Sequence, residues 1–423
     1  MIETGKELDW TFLNEDTREF THIYHDYPAR MIPQIPRNIL NLLSQNEGNV
    51  LFDPYCGSGS SLVEGLLAGL NVIGTDINPL ARLITNAKTE YSVAPSDLEN
   101  ELYRFVEFTL NPLGKPKIIK KENLSFWFKE SPIRGLGYIL RYIDKIEDPR
   151  IRNFFKVSAS ETIRESSNTR KDEFKLYRYS QEKLEKHNPD PFTIMKAKLF
   201  RNFKGYESFY QRMTERSFHP SSKVFLLDTV NPIPAGKIAK NSVDIVITSP
   251  PYGDSHTTVA YGQYSRLSSE WLGILKDNVD AKSMGGKKVK SSTQFGCDSL
   301  DNAINEVKKI NPKRAAEVSS FYIDLKGSIN NVSKVIKSGG YACYVVANRK
   351  VAGISLPTNE AIECFFEARG FSHNNTLTRS IPNKRMPSRN SPSNVAGRTE
   401  ETMSREFIVI MQKDSAHYAN TDK

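Results

Sequence analysis

The chain has 423 residues, of which 38% are hydrophobic and 10% aromatic, enough apolar content for a large α/β core with a second module and too much for global disorder. No apolar run reaches the roughly 18 residues that span a bilayer. The N-terminus lacks a signal-peptide pattern, and the scattered Cys56, Cys297, Cys343 and Cys364 form no CxxC pair, which gives no support for a disulfide framework or zinc site and predicts a cytoplasmic protein. The net charge of +9 is localised: residues 115–223 hold 25 Lys+Arg against 14 Asp+Glu, and the remainder 33 against 35. A basic block on a near-neutral body is the electrostatic footprint of a polyanion partner.

Short apolar runs bounded by Gly, Pro or Asp predict buried strands at Asn49–Asp53, Asn71–Asp76, Val224–Asp228, Val243–Thr248, Gly340–Val346 and Glu406–Gln412. Helix-like stretches follow the first two, at Ser60–Gly69 and Leu80–Lys88. Strand–helix alternation predicts an α/β fold with a Rossmann-like, doubly wound, mostly parallel sheet. Residues 1–89 and 223–423 are read as the two halves of this catalytic domain. Residues 90–222 break the alternation and are expected to form a large, mainly helical, basic insert. There Ile133, Leu136, Leu140 and Ile143 share one helical face stopped by Asp148-Pro149, and 192–216 reads as further helix. Residues 276–318 and 376–405 are expected to be loops, the latter with six basic residues, two acidic residues and three prolines.

Asp53-Pro54-Tyr55-Cys56-Gly57-Ser58-Gly59 lies where the first strand hands over to a helix, so glycines permit close backbone approach by a ligand beside free helix N–H groups. Asp76, followed by Ile77, ends the second strand and is placed to accept both hydroxyls of a ribose. No Gly-Lys-Ser/Thr follows, and Gly-x-Gly-x-x-Gly is incomplete. Asp53 repels a pyrophosphate and suits an ammonium. S-adenosylmethionine combines an ammonium, a ribose and an adenine, and is the expected cofactor.

The fourth strand ends at Thr248 and delivers Ser249-Pro250-Pro251-Tyr252 to the same sheet edge. Two prolines stiffen the chain and remove two donors, leaving the Ser249 hydroxyl and the Pro250 carbonyl as fixed acceptors. The Tyr252 ring offers a stacking face for a base, worth ~1–3 kcal/mol. Two acceptors suit the two hydrogens of an exocyclic amine whose lone pair is aimed at a methyl sulfonium.

On these motifs the sequence resembles the DNA amino-methyltransferases of restriction–modification systems, which carry an Asp-Pro-x-x-Gly-x-Gly loop and a Ser/Asp/Asn-Pro-Pro-Tyr motif. The resemblance spans most of the chain apart from residues 90–222. It implies cofactor contacts at Asp53, Tyr55, Gly57, Gly59, Asp76 and Asp228, with Cys56, Ser58, Ile77 and Thr248 beside them. Tyr27-Pro28, within His25–Arg30, matches the segment that closes over the methionine end. The implied catalytic residues are Ser249, Pro250, Pro251 and Tyr252. Serine at 249 is typical of members that methylate N4 of cytosine, with adenine N6 as the alternative. Double-stranded DNA is the implied partner, its target base flipped out, and a cognate restriction endonuclease is a further implied partner.

The family usually places its recognition insert later in the chain, so the role of 90–222 rests on charge and aromatics. Arg164, Asn168, Arg170 and Lys171 are candidate DNA contacts, as are Lys287 and Lys288, for which a solvated loop is an equal reading, and Arg385 in the basic loop. Tyr261 and Tyr264 are candidates for the wall of a base pocket. His22 and His25 lack further metal ligands, so no metal is expected. No Pro-Cys dipeptide offers a nucleophile for carbon methylation. An RNA amino-methyltransferase and a non-catalytic DNA-binding protein are the competing readings. The first is disfavoured for want of an RNA-binding module, the second by the intact motifs.

Overall fold

The computed structural model describes residues 10–171, 173–253, 259–275, 278–381, 389–390, 400–401 and 405–415. Its main sheet has seven strands: β1 (Val50–Asp53), β2 (Asn71–Asp76), β3 (Ser222–Leu226), β4 (Val243–Thr248), β5 (Ile336–Val346), β6 (Phe371–Ser380) and β7 (Arg405–Lys413). Their order is β3-β2-β1-β4-β5-β7-β6. Strands β1 to β5 run parallel, and β7 lies antiparallel between β5 and β6. This is the Rossmann-like methyltransferase architecture, and the order reverses between β1 and β4, where ligands bind in open α/β sheets.

The inner strands β1, β4 and β5 read as apolar runs because both sheet faces are covered there. On one face Leu51, Ile245, Ile247 and Val345 pack against Leu62, Val63 and Leu66 of helix α1 (Ser60–Leu67). On the other, Phe52, Val246 and Tyr344 meet helices from the C-terminal half.

The insert is helical. After α2 (Pro79–Lys88) come α3 (Pro95–Leu110), α4 (Glu130–Lys145), α5 (Pro149–Ser166) and α6 (Pro191–Thr214). Leu136, Ile139, Leu140 and Ile143 of α4 bury their stripe in a separate apolar cluster with Leu102, Phe105, Phe155 and Leu199. Full burial of each such side chain stabilises by about 1.5–3 kcal/mol. The cluster is continuous with Leu80 and Ile84 of α2, and with Leu267 and Trp271 of α7 (Tyr261–Trp271), the helix after Ser249–Tyr252. The long α6 reaches both cores: Met195 and Leu199 lie in the insert cluster, Phe209 and Met213 under the sheet.

Helix starts repeat one device. Asn78, Asp148 and Asp190 each accept the backbone N–H of the second helical residue, and a proline fills the first position, where its missing donor costs nothing. Asp148-Pro149 therefore stops one helix and starts the next.

Two expectations are corrected. Residues 276–318 are not one loop, since α8 (Asp298–Ile310) and the start of α9 (Pro312–Val332) occupy its second half. Leu300, Ile304 and Val307 form a buried stripe, and Asn311 ends α8 while its side chain caps α9 through Arg314 N–H at 3.1 Å. Residues 376–380 belong to β6 rather than to a loop. That strand follows α10 (Thr358–Glu367) at the sheet edge. Only Phe371 and Arg379 are buried in it, so it lacks an apolar run to announce it. Arg385 lies outside the described residues. Among the described residues no helix is long and apolar enough to cross a membrane.

Candidate active site

Where β1, β2 and β4 end, a cavity opens to solvent, bordered by Tyr27, Pro28, Asp53, Tyr55, Cys56, Gly57, Ser58, Asp76, Ile77, Asp228, Ser249 and Pro251. Two distant motifs thus share one space. Parallel pairing dictates this: Leu51–Phe52 of β1 lie in register with Ile245–Val246 of β4, so both strands deliver their carboxyl ends to one crevice.

Asp53 is 3% exposed. Its Oδ1 accepts from Tyr55 N–H at 3.0 Å and Thr248 Oγ1 at 2.5 Å, and its Oδ2 from the Ser61 hydroxyl. Thr248 therefore acts through Asp53 and does not border the cavity. With about four acceptor sites on an ionised carboxylate, Asp53 retains one for a ligand donor. Burial raises its pKa to about 6 against these three hydrogen bonds.

Asp76 is held similarly: Oδ1 accepts from Asn78 N–H at 2.7 Å and Oδ2 from Gly57 N–H at 3.0 Å. Each oxygen keeps a second lone pair, which matches the two hydroxyls of a ribose. Its pKa is also raised to about 6, chiefly by burial, with the Asp53 charge adding to it. Gly57 has φ +49, and Gly59 has φ +78. A Cβ on Gly59 would lie 2.7 Å from Thr85 Cγ2, so Gly59 serves the close packing of the loop on α2 and does not border the cavity.

A cofactor with an ammonium, a carboxylate and a ribose fits these residues. Besides the spare lone pairs, the Ser58 hydroxyl is buried on the cavity wall with no hydrogen-bond partner among the described residues. Tyr27 closes one side. Its hydroxyl accepts from Asn78 Nδ2 at 2.9 Å, and its ring stacks on Tyr261 with centroids 5.9 Å apart. The Asp228 carboxylate is partly used by Val230 N–H and Asn231 Nδ2, at 3.0 and 3.1 Å. Cys56 is buried, and burial raises its thiol well above the ordinary value, which leaves it inert.

Arg30, the last residue of the His25–Arg30 segment, lines the cavity, and several further lining residues escaped the sequence reading: Met31, Asn78, Thr229, Ser283 and Met284. Met31 directly follows the His25–Arg30 segment, the one signal that pointed toward it. Ser283 and Met284 come from the stretch read as a loop.

At the target end, Ser249 and Pro251 border the cavity while Pro250 is buried. Tyr252 lies off the cavity wall. Its hydroxyl accepts from Ser249 Oγ at 3.3 Å and donates to Glu406 Oε1 at 2.9 Å.

The candidate DNA contacts separate into two groups. Arg164 and Asn168 are turned inward, which corrects their assignment to the DNA surface. The Arg164 guanidinium sits 4.1 Å from the Tyr264 ring centroid, and Asn168 Nδ2 donates to Phe126 O at 3.0 Å. Arg170 and Lys171 are about half exposed, each about 4 Å from an acidic partner. Lys287 and Lys288 are exposed, Lys288 in an ion pair with Glu317 at 3.0 Å. Among the described residues no cluster of three or more His, Cys, Asp or Glu side chains could hold a metal.

Residues 18–123 match the model of an RMKL-like methyltransferase domain, UPF0020. Over 425 residues the chain is 40% identical to the type II methyltransferase M.MvaI of Kocuria varians, covering 95% of this chain and 93% of that one. The chain belongs to the type II methyltransferase family. As in the sequence reading, the methyl donor of this type II methyltransferase is S-adenosylmethionine. It is also 34% identical over 125 residues to the type II methyltransferase M.MjaII of Methanocaldococcus jannaschii, covering 28% of this chain and 23% of that one. Among solved structures, the rRNA methyltransferase aviRa of Streptomyces viridochromogenes aligns at TM-score 0.35 and 10% identity, over 92% of this chain and 89% of that one.

Proposed function

We propose that this type II methyltransferase modifies double-stranded DNA, transferring a methyl group to N4 of a flipped-out cytosine as the modification partner of a restriction endonuclease. The observation that carries the reading is that Ser249 and Pro251 border the same cavity as Asp53 and Asp76. An amine held at Ser249 therefore faces whatever Asp53 and Asp76 bind. The cofactor supplies an electrophilic methyl group on a sulfonium. The protein's part is positioning: Asp76 takes the ribose, Asp53 and Ser58 the amino-acid end, and Tyr27 excludes water. The Ser249 hydroxyl and the Pro250 carbonyl accept the two amine hydrogens and turn the nitrogen lone pair toward the methyl group. These two oxygens act as hydrogen-bond acceptors only, and the amine proton displaced by the methyl group passes to solvent. A base inside a duplex cannot reach them, so flipping is required, at a cost of a few kcal/mol.

The basic insert supports a DNA partner, since Arg164 and Leu176 hydrogen-bond to the helix that follows the motif. Arg164 Nη1 donates to Tyr264 O, and Leu176 N–H to Gln263 Oε1, both at 3.4 Å. Arg170, Lys171, Lys287 and Lys288 are the proposed phosphate contacts.

The test is incubation with duplex DNA and a deuterated methyl donor, followed by nucleoside mass spectrometry. Labelled N4-methyldeoxycytidine is expected. Labelled N6-methyldeoxyadenosine would transfer the same chemistry to adenine. Label in RNA alone, or none, would overturn the reading.

A further inference from the structure

Four side chains run in line from the cavity floor to the far edge of the sheet. Ser249 Oγ donates to the Tyr252 hydroxyl, which donates to Glu406 Oε1 at 2.9 Å. Glu406 Oε2 accepts from Arg379 Nη1 at 2.9 Å, and Arg379 Nε donates to Trp10 O at 3.1 Å. Glu406 and Arg379 are direct cross-strand partners in β7 and β6. Their side chains are 14% and 7% exposed, so the pair is shielded from solvent and each group depends on the other. Nothing in the motif Ser-Pro-Pro-Tyr calls for a carboxylate at this depth.

We infer that Glu406, anchored by Arg379, is a positioning residue that fixes the Ser249 hydroxyl as a hydrogen-bond acceptor toward the cavity, acting through the Tyr252 hydroxyl. The inference rests on the amino-methyl transfer reading above. A free serine hydroxyl can donate or accept and rotates to suit. With its proton committed to Tyr252, and the Tyr252 proton committed to Glu406, only lone pairs remain on the cavity side. A base amine requires that arrangement, whereas a keto oxygen at the same position would meet lone pairs and be rejected. The device also delivers negative charge to the motif from two hydrogen bonds away, because bonds in a chain polarise one another. Burial and the adjacent carboxylate raise the Tyr252 phenol well above its ordinary value, so the phenol keeps its proton and the chain orients groups without transferring one.

The purely structural alternative is an ion pair that stitches β6 to β7, with the phenol as a bystander. Tyr252→Phe separates the two, since it keeps the ring and the Glu406–Arg379 pair while cutting the chain. Single-turnover methylation rates and cofactor affinity are measured for wild type, Tyr252→Phe, Glu406→Gln and the double variant. Each single variant is expected to slow methyl transfer about tenfold to a hundredfold. Cofactor affinity should stay unchanged, because neither side chain borders the cavity. The double variant should be no slower than the slower single one, as members of one chain are not additive. A wild-type rate in Tyr252→Phe, a cofactor affinity that falls with the rate, or multiplicative losses in the double variant would overturn the relay. If Glu406→Gln does not fold, its Arg379 left without an anion, Tyr252→Phe still decides. Wild-type protein that methylates no amino group would sink the proposed function and the relay with it. Wild-type methylation with unimpaired Tyr252→Phe would sink the relay alone.

Discussion

Acidification should release the cofactor well before it unfolds the protein. Burial lifts both Asp53 and Asp76 from the ordinary 3.8 to about 6, so both are ionised at pH 8. Both must be ionised to accept ligand donors. At pH 5 a group with pKa near 6 is ionised about 9% of the time, and two such groups together only about 1%. The cofactor Kd should therefore rise about 100-fold between pH 8 and pH 5, equivalent to about 2.7 kcal/mol, with most of the change below pH 6.5. Titration calorimetry at constant ionic strength measures this directly. Asp76→Asn removes one of the two groups and should cut the pH-dependent loss to about tenfold, on top of a weaker affinity at every pH. Stability is a poorer readout, because opposing groups titrate in the same window. The raised aspartates make the free protein more stable below pH 4, and that gain is lost as pH rises through 6. His22 and His25, buried with pKa lowered to about 4, have the reverse sign: their contribution is present above 6.5 and lost as pH falls through 4. The contributions largely cancel in denaturation data but not in cofactor affinity, which the histidines do not contact. A Kd constant from pH 8 to pH 5 would refute the assignment of these two carboxylates as the ligand's acceptors.

Reversing Arg170 and Lys171 to glutamate should weaken DNA binding and lower the salt slope by about one unit per lost phosphate contact; an unchanged slope in a filter-binding series would remove the insert from the DNA interface. Arg164→Ala, by contrast, should lower the melting temperature and leave the salt slope intact, since its guanidinium is spent on Tyr264. Gly59→Ala should destabilise by about 1–3 kcal/mol in urea unfolding, from the positive φ and the approach to Thr85; a neutral effect would show that the loop relaxes freely. Leu140→Ala in the insert core should cost about 2–5 kcal/mol, and unfolding of the insert without the sheet would contradict the shared packing of α6.

What was legible in the sequence follows from which forces act locally. Strands β1, β4, β5 and β7 announce themselves because a sheet covered on both faces demands apolar runs, and the edge strand β3, with only Val224 buried, is betrayed by the apolar Val224–Leu227. Strand β6 stays hidden because an edge strand needs only one partner and buries little: polar Ser372, His373, Asn374 and Asn375 give it no apolar run. Helix α8 was equally readable from Leu300, Ile304 and Val307 followed by Asn311-Pro312, and was obscured by the glycine- and lysine-rich stretch before it. The two motifs were legible because their chemistry is carried by contiguous residues whose spacing a turn dictates. Their supporting partners were not, because those come from sites chosen by the sheet rather than by the chain. Ser61 and Thr248 reach Asp53 from elements 8 and 195 residues away. Tyr252 finds Glu406 at a separation of 154, and only once β7 has inserted antiparallel beside β5. An arginine inside an exposed-looking polar strand, and a glutamate opening an apolar one, look like ordinary surface charges until the cross-strand register sets them against each other. The same limit explains Arg164 and Asn168: their neighbours in sequence are basic and polar, but the last turn of α5 sets Arg164 on Tyr264 and the turn beyond it sets Asn168 on the Phe126 carbonyl. A residue's place in a charged segment therefore predicts the charge of the surface, while the direction of each side chain is decided by the helix or strand that carries it.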